Sequence, residues 1–191
     1  MKFHKNTEYP QVSKGDENYS IDVINIDAHL DVRPLKNNRA HSGSPFYLML
    51  NDIDFENLNG KFVEYGCQGE QCSLDHAKFV LNKNQKIKWL SEVELSDFND
   101  FENFLETFKN DKMFFSFDID SIKSSDCPGV SCPSIRGINV MRAFEMCFLA
   151  GRKKSIVLFD ISEFNPKIES FRTGRLVFFM FYYFLCGIAS R

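Results

Sequence analysis

The chain has 191 residues, 43% hydrophobic and 26% charged, with a formal net charge of −3. That is enough length and apolar content for one soluble domain with a sizeable core. The slight acidity gives no reason to expect nucleic acid or an acidic membrane surface as a partner.

Residues 1–20, "MKFHKNTEYPQVSKGDENYS", form a polar segment with the composition of disorder and no apolar signal-like run. A cytoplasmic location and free thiols at Cys67, Cys72, Cys127, Cys132, Cys147 and Cys186 are therefore expected. The domain proper is read as 21–191. "IDVINI" (21–26) is a nearly continuous apolar run, as expected of a strand covered on both faces. Ser44 before Pro45 and "FYLML" predicts a helix with Ser44 as cap and Pro45 at its first position. "KFVEYG" (61–66) reads as a second strand. Ser73 is placed to cap "LDHAKFVL", and "KIKWLS" (86–91) reads as a third strand.

Ser96 precedes "DFNDFENFLETF", in which Phe98, Phe101, Leu105 and Phe108 recur at helical spacing. "MFFSF" (113–117) reads as a fourth strand, and "INVMRAFEMCFLAG" (138–151) as a helix ending at Gly151. "SIVLF" (155–159) is a fifth strand. "LVFFMFYYFLCGIA" (176–189) falls short of the ~20 residues a membrane-spanning helix needs, so it is read as a buried terminal helix. Strands alternating with helices imply an α/β domain, three layers α/β/α around a mostly parallel sheet. The count of 21 Phe against 1 Trp points to a large aromatic core, or to core surface that meets something outside the chain.

Acids stand where these strands end. "VINIDAHLDVRP" carries Asp27, His29 and Asp31 two apart, and "SFDID" carries Asp118 and Asp120. In extended backbone such residues face one side. In open α/β sheets the carboxyl ends of the strands converge on the ligand crevice. Four carboxylates gathered there would repel one another and stay partly protonated unless cations balanced them. Oxygen ligands with one imidazole suit a metal such as Mn²⁺. Two such ions about 4 Å apart can acidify a water for attack on a polarised C=N or C=O carbon. Each motif has a plainer reading, since an Asp after a strand is often a helix cap and a lone His a loop residue. Arg33, two residues past Asp31, is a candidate receptor for a substrate carboxylate on chemical grounds, with a surface salt bridge as the alternative. The two C-x₄-C pairs, Cys67/Cys72 and Cys127/Cys132, depart from the commonest zinc spacing. "DCPGVSCP" reads better as a turn-rich loop beside the site, with Cys127 lining the pocket.

Taken together, "NIDAHLDVRP", "HSGSPF", "SFDIDS" and "LFDISEFNP" resemble the arginase (ureohydrolase) family, with its D-A-H-x-D and S-F-D-x-D segments and binuclear manganese centre. "DCPGVSCP", "HSGSPF" and "RTGRLVFFMFYYFLCGIA" are most similar to its formimidoylglutamase branch. The resemblance implies a small amidine substrate: N-formimidoyl-L-glutamate and water giving L-glutamate and formamide, a step of histidine degradation. It implies that Asp27 and Asp118 bridge two Mn²⁺ ions, that Asp31 binds the first, and that His29 and Asp120 bind the second. It places His41 near the pocket as a proton shuttle and Glu163 against the substrate's cationic amidine. It leaves open a homo-oligomer, another ureohydrolase activity on agmatine, arginine or a guanidino acid, and a non-catalytic homologue. Family members carry a glycine-rich metal-ligand segment ahead of D-A-H-x-D, and no Gly-Gly pair precedes Asp27 here. An arginase-like but N-terminally truncated fold is therefore expected, with an incomplete first metal site and an open sheet edge.

Overall fold

A computed structural model of the chain describes residues 20–94 and 99–191. The polar segment up to residue 19, Ser96 and Phe98 lie outside the described residues, so the expectations placed on them are not addressed.

Five strands, β1 (Ile21–Ile26), β2 (Phe62–Cys67), β3 (Lys86–Trp89), β4 (Lys112–Asp118) and β5 (Ile156–Ser162), form one sheet in the order β3-β2-β1-β4-β5. All four pairings are parallel. The chain thus builds outward from β1 to β3, returns across the sheet, and builds the other way through β4 and β5. The reversal lies between β1 and β4, and in open α/β sheets the carboxyl ends of the strands at such a reversal are where ligands bind.

Helices cover both faces. On one face α1 (Pro45–Leu50), α2 (Ile53–Asn57) and α3 (Leu74–Asn82) bury Phe46, Leu50, Phe55, Ala77 and Val80 against Val23 and Phe62. On the other face pack α4 (Leu90–Glu94), α5 (Asn99–Leu105), α6 (Val140–Arg152) and α7 (Phe171–Ala189). Tyr65, Phe101, Phe115, Met146, Met180 and Phe184 fill that core together with Ile24 and Ile26. Nine of the 21 Phe go here, in a ring cluster that includes Phe115 stacked on Phe159 and Phe159 on Phe184. The helices thereby cover the sheet with two apolar cores.

Several local expectations change. Ser44 stands at the α1 N-cap with Pro45 behind it, but makes no capping bond. Its hydroxyl donates instead to the His41 carbonyl (2.8 Å) and accepts from the His41 N–H (2.9 Å), closing the "HSGS" turn. Ser73 caps α3 as expected, accepting from the His76 N–H. The third strand stops at Trp89, because Leu90 and Ser91 already begin α4. Gly151 does not stop α6. It lies inside the helix, at the crossing with α7, where an added Cβ would come within 2.1 Å of the Phe184 carbonyl oxygen. Gly187 faces it with the same constraint, 2.1 Å from the Phe148 carbonyl. Two glycines let the helix backbones touch.

The terminal helix is longer than the apolar run suggested, 19 residues, and only one stripe of it is buried: Thr173, Leu176, Met180, Phe184 and Gly187. Phe178, Phe181, Tyr182 and Leu185 are exposed, which corrects the expectation of a buried helix. Length and composition alone would let this helix cross a membrane. Its buried stripe is instead occupied by α6, through stacked pairs such as Phe144–Tyr183. β5 ends the sheet, with Val157 and Leu158 exposed.

Candidate metal centre

Asp27 is the first residue past β1 and Asp118 the last of β4, the two strands that flank the reversal. Both side chains are turned down into the protein and held at two points. Asp27 Oδ1 accepts the His29 N–H at 2.7 Å, and Oδ2 accepts an N–H from the Asn25 amide at 3.1 Å. Asp118 Oδ1 accepts the Asp120 N–H at 3.0 Å, and Oδ2 accepts from the Ser162 hydroxyl at 3.3 Å, across the β4–β5 pairing. In both motifs the acid at position i binds the N–H of i+2. That bond folds the chain so the second donor of each motif returns to the same spot, a local turn rather than a continued strand.

The result is a cluster. His29 Nδ1 lies 3.1 Å from Asp120 Oδ2 and 3.4 Å from Asp27 Oδ1. One ligand atom from each of Asp27, His29 and Asp120 fits within 4.8 Å of the others. Asp31, Asp118 and Glu163 are not part of that set, although their charges act on the same group of acids. Asp31 also feels the Arg33 charge.

Electrostatics show what the cluster lacks. Burial, with the neighbouring acids adding to it, raises Asp27 to about 7 and Asp31 to about 6. Asp118 is raised well above the ordinary carboxylate range for the same reasons. His29 is pushed up to about 12, first by its bond to Asp120 and then by that to Asp27. The imidazolium is the one positive group inside the cluster. Asp120 Oδ1 is buried with no hydrogen-bond partner among the described residues. Buried carboxylates with an orphaned oxygen and a single imidazole are a donor set for divalent cations of the Mn²⁺ kind. The residues present therefore fit a metal, one that would replace the His29 proton and neutralise acids that cannot otherwise all ionise.

The backbone carries strain at this place. Among the described residues, six non-glycine residues have positive φ: Asn37, Asn38, Asn59, Asn84 and Asp31 (φ 43°), of types that tolerate it, and Glu163 (φ 66°). Glu163 is the exception, held in a conformation that costs about 1–2 kcal/mol.

The other expected residues fall less neatly. Arg33 lies over the "HSGS" turn, where a Cβ on Gly43 would come within 2.6 Å of its Nε. It is exposed, and no carboxylate among the described residues forms an ion pair with it. His41 is not brought to the cluster. Its Nδ1 accepts the Gly43 N–H at 3.2 Å and its Nε2 lies 3.1 Å from the Pro34 carbonyl, so both nitrogens serve the loop. Cys127 is buried, and burial together with Asp118 and Asp120 raises its thiol to about 12, so it lies beside the cluster as a neutral group. Its loop is pinned to α7 by the Gly129 N–H on Thr173 Oγ1 at 2.9 Å. All six cysteines are free thiols.

Sequence reasoning missed four supports. Asn25 and Glu64 are polar residues inside otherwise apolar strands, a signal the sequence offers to a reader who asks why they are there. The thiols of Cys67 and Cys72 donate to the His29 and Ala28 carbonyls (3.0 and 3.6 Å), tying the D-A-H-x-D turn to the end of β2.

With this geometry in hand, comparison with known proteins is specific. The sequence model of the arginase family matches residues 5–186. The chain is 44% identical to Trypanosoma cruzi formiminoglutamase solved with Mn²⁺, with a TM-score of 0.82 over 91% of this chain and 58% of that one. It is 27% identical over 152 residues to formimidoylglutamase of Salmonella paratyphi B, 78% of this chain and 46% of the relative. Formimidoylglutamase of Bacillus subtilis, at 21% identity and TM-score 0.80, shares the fold over 88% of this chain and 53% of that one. The chain spans about half the length of the curated relatives it matches.

Proposed function

The chain belongs to the arginase family, and from that premise we propose that it serves a cytoplasmic hydrolase of a C–N bond in an amidine, N-formimidoyl-L-glutamate. The observation that carries this reading is the meeting of Asp27 and His29 with Asp120 at the sheet reversal, with the charges of Asp31, Asp118 and Glu163 acting on the same group.

Asp27, His29, Asp31, Asp118 and Asp120 would hold two Mn²⁺ ions. When bound, they supply an acidified water as the nucleophile. The remaining work falls to the chain. Glu163, fixed at its strained turn after β5, pairs with the planar amidinium and turns its carbon toward the cluster. Arg33, free of ion pairs among the described residues and braced on Gly43, takes a substrate carboxylate in a two-pronged contact and so selects a glutamyl group. The buried flank formed by Cys127 excludes bulk water, which strengthens every charge contact inside. Oxygen adds to the amidine carbon and the bond to the glutamate nitrogen breaks. That nitrogen takes a proton and leaves as the amine, while the carbon leaves as formamide. His41 delivers that proton only if its two loop bonds open, so in the loop conformation seen here its role is to order the turn beneath Arg33.

Purified protein loaded with Mn²⁺ is assayed for formamide from N-formimidoyl-L-glutamate. Formamide release supports the reading. Urea from arginine, agmatine or a guanidino acid moves the activity elsewhere in the family. A folded chain holding two Mn²⁺ that hydrolyses none of these overturns it.

A further inference from the structure

One level beneath the acids, the sheet carries a row of polar residues where both neighbouring rows are apolar or aromatic. Glu64, Asn25, Ser116 and Asp160 are register partners on four adjacent strands and share one face. Glu64 and Asn25 are fully enclosed, at 0% and 1% exposure. Asn25 Nδ2 has two hydrogens and two acceptors: Asp27 Oδ2 at 3.1 Å and Glu64 Oε2 at 3.1 Å. Glu64 Oε1 has no hydrogen-bond partner among the described residues.

Such a pair is a poor device for stability. A buried carboxyl with an unpaired oxygen carries a desolvation cost, and replacing both partners of a buried polar contact with apolar groups is commonly neutral or stabilising. The flanking Ile24, Ile26, Val63 and Tyr65 show that apolar side chains suit these strands. What the pair does provide is direction. An amide can sit in a slot two ways round. With Glu64 on one side and Asp27 on the other, the orientation seen gives both acceptors a hydrogen, whereas the flipped amide would need both carboxyls to donate instead. Glu64 thereby locks the Asn25 N–H toward Asp27, while the His29 N–H holds the other oxygen. The plane of the carboxylate is then fixed from two sides.

We propose that Asn25 and Glu64 are positioning residues for Asp27, a two-residue relay that sets the orientation of its metal-binding carboxylate. This rests on the metal-centre reading above. Glu64 reaches neither metal nor substrate in it and acts only through Asn25.

The test is Mn²⁺ affinity, followed by the electron paramagnetic resonance signal of free Mn²⁺ during titration, together with thermal melting of the metal-free protein. Glu64→Met keeps the length of the side chain and removes the acceptor. It leaves one Asn25 N–H unpaired, so melting at or slightly below the native temperature is expected, together with Mn²⁺ binding about tenfold to a hundredfold weaker. Glu64→Gln, which can still accept from Asn25, is expected to stay within about threefold of native. If Glu64→Met does not fold, the double replacement Asn25→Leu with Glu64→Met removes the pair together with its bond to Asp27 Oδ2, and is expected to weaken Mn²⁺ binding at least as much. Native Mn²⁺ affinity in the folded Met variant, or a lowered melting temperature with unchanged affinity, overturns the relay. A native protein that binds no Mn²⁺ at all overturns the metal centre itself, and the relay with it.

Discussion

His29 Nδ1 stands 3.1 Å from Asp120 Oδ2, so two residues 91 positions apart in sequence share one proton site. That contact joins the turn after β1 to the turn after β4. If it marks a metal position, Asp120→Ala should reduce bound Mn²⁺ from two ions to one. Formamide release should fall by more than the 10–100-fold that an outer support costs. Metal analysis of the desalted variant checks the first outcome and steady-state kinetics the second.

The metal-free protein should lose stability as pH rises from about 5 to 8. Asp27 and Asp31 are raised in the folded state, to about 7 and 6, so between the ordinary 3.8 and those values the folded chain holds more protons than the unfolded one. Stability then falls with pH. His29 has the same sign: raised to about 12, its contribution is complete below 6.5 and is lost as pH climbs through the folded value. Thermal melts at pH 5 and 8 should show the lower transition at pH 8. Mn²⁺ should close the gap, because the ions take the place of the protons.

Gly151→Ala and Gly187→Ala should each destabilise the fold by about 1–3 kcal/mol, the usual cost of forcing extra volume into a packed contact. Each new methyl would meet a carbonyl of the opposing helix at 2.1 Å, backbone that cannot rotate away. Gly69→Ala, where a Cβ meets nothing within 4 Å, is the control. Denaturant midpoints read all three.

Arg33→Ala should raise KM for N-formimidoyl-L-glutamate by about 10–100-fold, the range for losing a charged hydrogen-bonded contact, with kcat much less affected. In the proposed reading the residue would meet a remote carboxylate and not the reacting carbon, so its loss would show as uniform binding. An equal fall in kcat with unchanged KM would remove Arg33 from the substrate site.

Much of this molecule was legible in the sequence because its signals are local. The five strands are short apolar runs, and each runs within a residue or two of its expected position except β5, which continues three residues further, to Ser162. The acids carry their geometry in their spacing, since the i to i+2 bond of Asp27 and Asp118 needs no distant partner. What was not legible depends on what lies opposite. Ser44 has the identity and position of a cap but spends its hydroxyl on His41. Gly151 looks like a helix stop until α7 is laid across it. α7 itself is apolar around its circumference, so no periodicity tells which stripe α6 covers. Asn25 and Glu64 were in plain view inside strands read only for their hydrophobicity. Their meaning lay in the pairing register, which no single strand contains.

The left-handed backbone at Glu163 ties two properties to one position. Glycine or asparagine there would relax the main chain, as asparagine does at four other left-handed positions among the described residues. Torsional strain and a carboxylate therefore coincide at Glu163, and a replacement that relieved the one would remove the other.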